Sequence, residues 1–329
     1  MLTSNVMVAL LTLAGSVTAQ APNWGQCGGA TFTGPRTCFP VSTTCSNPVD
    51  QLQGYAAYTS GGGGVEPTIV TSCEALRTAA ASEDVGVIRV VGMLADCGIV
   101  DIGTYKTIFG NGTDSGFVGG GLRARNVREV IIRNLRFNNP PTGESSVSVE
   151  SAAFVWIDHN EFQNTAPNEE YGSQLDITNR AGAVTVSWNK FSDSSKGSSN
   201  PQQASIAYTV TSHHNWWFNL DSVPSIRSLT GHIYSNCFEN ISIAGIDVRQ
   251  GAKALVEQNH FITTKNAIVT NLDTQAPGFA TERNNIFFES PISITQTGHE
   301  NPTYPYNLDA AGCICDHLHT WAGVGKINI

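Results

Sequence analysis

Positive charge is scarce in this chain: 18 Lys and Arg stand against 27 Asp and Glu, a formal net charge of −9 over 329 residues. That balance argues against nucleic acid and against an anionic membrane as partners. An acidic polysaccharide stays admissible, because screening at ordinary salt leaves local cations in charge of a cleft. Beyond the first nineteen residues no apolar run reaches membrane length. The glycine run at 60–64 lacks the Gly-Lys-Ser/Thr continuation of a phosphate loop and opens no helix. No His/Cys/carboxylate spacing has the form of a zinc motif.

What the chain does have is a recurrent asparagine. It stands at Asn134, Asn160, Asn189, Asn215, Asn236, Asn259 and Asn285, with successive spacings of 26, 29, 26, 21, 23 and 26 residues. Each follows a short stretch of alternating apolar residues, and all but the first have an aromatic two residues later. A period in the twenties with one strand-like run per unit is the mark of a solenoid. The two-residue rhythm and the wealth of Val, Ile, Phe and Thr make the units coils of a parallel β-helix, not helical repeats. Stacked at strand spacing, equivalent Asn side chains can bond one another and cap the turns. Thr71-Ser-Cys-Glu74 reads as a capping box opening a short helix to about Ala81, which would cover the solenoid's open end. Strand-like runs follow at 85–91, 106–109 and 127–132, and the tail from Asn301 is expected to lie along the outside.

The first nineteen residues read as an export signal, uncharged after Met1, apolar from 6 to 14, with Val17 and Ala19 before the cut. Eight cysteines fit the oxidising compartment this implies. Asn111-Gly-Thr and Asn240-Ile-Ser are then glycosylation sequons. Residues 20–46 form a small Cys-rich unit with Cys27, Cys38 and Cys45. Trp24-Gly-Gln-Cys27-Gly-Gly and Thr33-Gly-Pro35 resemble the N-terminal part of a fungal family 1 cellulose-binding module, implying contact with cellulose through Trp24. The family's paired aromatics and last cysteine are missing after Cys45, so the half-module reads equally as a relic or a disulfide-tied cap. Three cysteines cannot all pair among themselves, so one is free or reaches elsewhere. Cys73 with Cys97, and Cys313 or Cys315 with Cys237, are candidate bridges.

From Asp50 onward the chain resembles polysaccharide lyase family 1, the pectate lyases. The words are DQLQGYA from Asp50, VWIDHNEF from Val155, LDIT from Leu175, VTVSWNKF from Val184, HHNWW from His213, GHIYSN from Gly231, VRQGAKALVEQN from Val248 and AGVGKI from Ala322. The resemblance implies an all-β, right-handed parallel β-helix over 47–329. It implies calcium-dependent β-elimination on polygalacturonate: calcium and cations bind the uronate carboxylate, and an arginine removes the C5 proton. Asp158 and Asp176 match calcium ligands of the family, expected on the same side of the solenoid. Lys196 matches a substrate-binding lysine, and Arg227 an arginine three residues after a proline, here Pro224.

Two positions depart from that pattern. Gly172 stands where the family has an acidic ligand, with Glu169 and Glu170 close by in sequence. Ser222 stands where the family has its proton-abstracting arginine, and the stretch from Asn215 to Pro224 is one residue short. A serine hydroxyl without an activating partner is no C5 base. Lys196 is the best stand-in, and Arg227 keeps a role on a substrate carboxylate. His159, His213 and His214 read as buried structural residues. Trp156, Trp188, Trp216 and Trp217 read as packing, with Trp217 the one open to exposure. The expectation is a secreted, monomeric, calcium-dependent pectate lyase of reduced activity, the alternative a wall-binding protein on the lyase fold. An inverting polygalacturonase would need Asn-Thr-Asp, Asp-Asp and Gly-His-Gly words, and the chain has none.

Overall fold

The computed structural model describes residues 44–165, 172–194, 198–199, 208–272 and 276–329. The export signal, Trp24, Cys27, Cys38 and the rest of the cellulose-module-like segment to residue 43 lie outside the described residues. So do Glu169, Glu170 and Lys196. Every strand pairing within the sheets is parallel, and the chain winds as a β-solenoid whose coils each add one strand per face. One sheet has ten strands in chain order, from Thr68–Val70 through Arg128–Arg133, Ala153–Asp158, Gly182–Ser187, Thr209–His213, Thr230–Tyr234 and Lys253–Glu257 to Phe279–Arg283. A second runs through Arg136–Asn138, Glu161–Gln163, Lys190–Ser194, Trp216–Ser222, Cys237–Ala244, His260–Thr264 and Ile286–Phe288. The third face carries Val147–Glu150, Leu175–Thr178 and Ser198–Ser199, then Ser225–Arg227, Ile246–Arg249 and Ile268–Val269. Strand alternation sends Val, Ile, Leu and Phe inward from all three, giving one continuous core.

The asparagines build a ladder at the corner between the first two sheets. Five links run from Asn160 to Asn285, and each is doubled. The Oδ1 of Asn189 accepts both the backbone N–H and the Nδ2 of Asn160, at 2.9 and 3.0 Å. The same pair of bonds joins Asn189 to Asn215, Asn215 to Asn236, Asn236 to Asn259 and Asn259 to Asn285, all at 2.9–3.0 Å. Each Nδ2 also donates to a carbonyl of the coil before, such as Ile157 for Asn189. The residue ahead of each ladder asparagine takes a positive φ, 52° at His159 and 56° at Trp188, which turns the corner.

Asn134 is not part of the ladder. Arg133 pairs with Asp158 and Phe137 with Phe162, so the residue opposite Asn160 is Leu135. Its N–H bonds Asn160 Oδ1 at 3.0 Å, while Asn134 itself takes the positive-φ position, at 54°. The one-residue offset explains why this station alone has its aromatic three residues later. Freed from the ladder, Asn134 bonds the carbonyls of Gly110 and Gly112 and accepts from Gly325 N–H of the C-terminal tail at 2.7 Å.

Those aromatics stack through the core as Phe117, Phe137, Phe162, Phe191, Trp217, Phe238, Phe261 and Phe287, with centroids 3.9–6.2 Å apart. Trp217 is therefore buried. The helix spans Cys73–Ala81, capped by Ser72 and not Thr71: Ser72 Oγ accepts from Ala75 N–H at 3.2 Å. Leu76 and Ala80 close the end of the core. Cys73 pairs with Cys97, and Cys315 with Cys237. Cys45 reaches Cys313, 268 residues away, so it belongs to the solenoid and not to the segment before it.

Asn189→Ala should lower unfolding free energy by about 3–5 kcal/mol, because the buried Asn160 N–H and the Ile157 carbonyl lose their partners. Exposed Asn301→Ala should lose less than about 0.5 kcal/mol. Urea melts of both decide it, and equal losses would contradict a ladder that carries the fold.

Candidate active site

The outer face of the ten-stranded sheet is a polar row, buried from Asp158 to Glu257: Arg133, Asp158, Ser187, His213, Tyr234, Glu257 and Arg283 pair in register from coil to coil. A leader over residues 44–67, ahead of the first strand, covers part of it, with Tyr55 N–H and Ala56 N–H bonded to Thr211 and Thr185 hydroxyls. The tail covers the rest. Tyr304 bonds Thr211 and His232 at 2.7 and 2.6 Å, Tyr306 bonds Glu257 at 2.8 Å, and Asp309 meets His214 at 3.1 Å. His159, His213 and His214 are buried here, as structural histidines.

Asp158 belongs to this row, and its placement corrects the calcium-ligand expectation. Its carboxylate is fully buried and engaged by three donors: Ser187 Oγ at 2.6 Å, His159 Nδ1 at 2.6 Å and Arg133 Nε at 2.9 Å. Burial by itself would push its pKa up. The charges of His159 and Arg133 and the bond from Ser187 outweigh that and hold it below the ordinary carboxylate value. Nor does it share a side with Asp176, which projects from the third face.

On that third face the outward residues form a charged strip. Arg123 pairs with Asp101 and Arg125 with Glu150, each through two bonds between 2.6 and 3.2 Å. Asp176 pairs in register with Ser148 and accepts from Ser145 Oγ at 2.6 Å. Strand Ser198–Ser199 lies between the Asp176 strand and Ser225–Arg227. Two steps of strand spacing separate Asp176 from Arg227 along the axis, about 10 Å. Ser225 and Arg227 then pair in register with Asp247 and Arg249. Arg249 Nη2 bonds Asp247 Oδ2 at 2.6 Å, whereas Arg227 has no ion-pair partner among the described residues. Burial pushes the Asp247 carboxyl up, against the pull of Arg249 and Arg227. Sequence reading missed Asp247 and Arg249. The repeated Ser/Asp-x-Arg pattern in consecutive coils was the available signal.

The departures have structural form. A Cβ on Gly172 would lie 2.7 Å from the Glu144 carbonyl, so backbone fills the place of a ligand side chain. Ser222 is half-buried at the end of its strand, and no histidine or carboxylate partners its hydroxyl among the described residues. The register slips just before it: Leu220 opposes Ile241 but Ser222 opposes Ala244, so this strand is one residue short against the next. Calcium takes about 6–8 oxygen ligands. The described residues offer one third-face carboxylate at this place, Asp176, already hydrogen-bonded to Ser145, and they do not fit a calcium held by the protein. Cys237, Glu239 and His319 lie close enough to hold a metal, but the Cys237 sulfur is bonded to Cys315.

A pectate lyase family model matches residues 1–327. A pectate trisaccharide-lyase of Bacillus licheniformis is 33% identical over 298 residues, covering 84% of this chain and 87% of that protein. Pectate lyase A of Emericella nidulans is 33% identical over 273 residues, 79% of this chain and 82% of that one. Among solved structures, a Bacillus pectate lyase in complex with trigalacturonate superposes with a TM-score of 0.76 at 27% identity. It covers 84% of this chain and 100% of that one.

Burial depresses the proton affinity of His213, His214, His232 and His317 below the ordinary value of about 6.5. The unfolded chain therefore takes up protons first as pH falls. The stability these groups contribute is full above about pH 7 and is lost as pH falls through the ordinary histidine value toward their lower folded-state values. Thermal midpoints measured across that interval should fall with pH. A flat profile would show that the imidazoles titrate alike in both states.

Proposed function

This chain belongs to the pectate lyase family, and from that premise we propose that it cleaves polygalacturonate of plant cell walls by β-elimination outside the cell. The observation that carries the reading is Arg227, which projects from the face that bears Asp176 with its guanidinium free of any ion pair among the described residues. In the reaction a base takes the C5 proton, the electron pair forms the C4–C5 double bond, and the C4–oxygen bond breaks with the oxygen taking a proton. Arg227 would bind a uronate carboxylate, drawing off its charge and making the C5 proton more acidic. Lys196 would stand in as base or bind substrate. With Ser222 at the expected base position, turnover would be slow. The resemblance also implies calcium, whose donors the described residues do not supply. The three disulfides among the described residues favour an oxidising, extracellular setting. A monomer, with cellulose contact through Trp24, completes the reading.

A second reading, binding of wall pectate without cleavage, is favoured by the neutral, unactivated Ser222. Absorbance of the unsaturated uronate product, followed on polygalacturonate at alkaline pH with and without calcium, separates the two. Product is expected at a low rate. Its absence at high protein concentration, with the polymer still bound, would favour the second reading. Ser222→Arg should raise the rate, a positioned base contributing up to about 10²–10⁴-fold. An unchanged rate would put the defect in the register slip next to it. Arg227→Ala should weaken retention on polygalacturonate gels, and unchanged retention would remove Arg227 from the binding face.

A further inference from the structure

We propose that the Asp176 site of this lyase-fold chain, as its described residues form it, holds no calcium, having been turned from a metal site into a hydrogen bond. The inference rests on the lyase reading only for the identity of the polymer. The metal claim stands on the geometry around Asp176.

Three observations carry it. Asp176 Oδ2 accepts from Ser145 Oγ at 2.6 Å, so a neutral hydroxyl occupies the contact where a second carboxylate would make a cation site. Ser145 is itself buried and accepts from Ser173 N–H at 3.1 Å, so its oxygen is fixed in that place. Gly172 is closed to any side chain: its N–H bonds the Glu144 carbonyl at 2.9 Å, and an added Cβ would meet that same group. No loop adjustment confined to one side chain supplies a ligand there. Asp158, the other matched carboxylate, is sealed under Arg133 and His159. Among the described residues, one carboxylate with one hydroxyl is far from the hard oxygen shell calcium requires. The cations of the third face, Arg227 foremost, are then what meets the polymer's charge.

The test uses the full chain and calcium alone. Titration of calcium into the unaltered protein should give no binding heat, and its thermal midpoint should be the same in calcium and in chelator. Ser145→Asp places a carboxylate against Asp176. It should lower the midpoint in chelator through like-charge repulsion and regain about 2–5 °C in calcium. Ser145→Asn, of the same size without the charge, should regain nothing. Calcium binding by the unaltered chain would overturn the inference, whatever the variants do, and would turn attention to Glu169 and Glu170. A folded Ser145→Asp protein blind to calcium would also count against Asp176 as a former metal position. Retention on polygalacturonate gels tests the lyase reading separately. Retention that is equal in calcium and chelator supports both conclusions, and retention that requires calcium overturns the calcium-free site. A chain that ignores the polymer in both but binds no calcium sinks the lyase reading while the metal inference holds.

Discussion

The doubled hydrogen bond between successive asparagines is the constraint on which the molecule depends. A single amide oxygen accepts from both the backbone and the side chain of its neighbour, so each coil fixes the next in position and rotation. Because the bonds are buried, a coil that slipped by one residue would leave several polar groups without partners. The aromatic stack two residues further on then follows without further specification. In a parallel sheet, where one slip exchanges inside for outside, this corner sets which residues every face presents.

Once register is set, the three faces diverge in chemistry. The ten-stranded sheet turns a polar row outward and hides it under the leader and the tail, so its histidines and carboxylates serve packing and hydrogen bonding. The third face collects the charges, from exposed Asp101 and Arg125 to buried Asp247 and Arg249. Arg123 and Arg125 are neutralised by Asp101 and Glu150, whereas Arg227 is not neutralised by any described residue. A polyanion would thus find its cation at the later coils of the face.

The fold was legible because its signals are local and repeated. Six of seven asparagine stations mark the same slot, and the seventh misleads by one residue because Leu135 fills the slot while Asn134 turns the corner. The site was less legible. Asp158 sits in a family word, but the word does not say which way a strand residue faces once a leader packs over it. Gly172 and Ser222 could be recognised as departures, yet only the structure reveals that backbone fills the first and that a register slip adjoins the second. Asp247 and Arg249 escaped notice because neighbouring coils make them a cluster, and coil-to-coil proximity is invisible in a linear reading.

The bond between Cys45 and Cys313 closes the chain on itself across nearly the whole solenoid. An open solenoid peels from its ends, coil by coil, each released turn exposing the next. Here the entry of the leader and the start of a C-terminal helix, Ile314–Trp321, are one covalent object, and Cys237–Cys315 ties that object to a coil between them. A protease that nicks any loop between the two cysteines opens a ring without producing two molecules. On the proposed reading of a lyase at work in plant cell walls, a cut would then be an injury to one loop and not a loss of the strands beyond it.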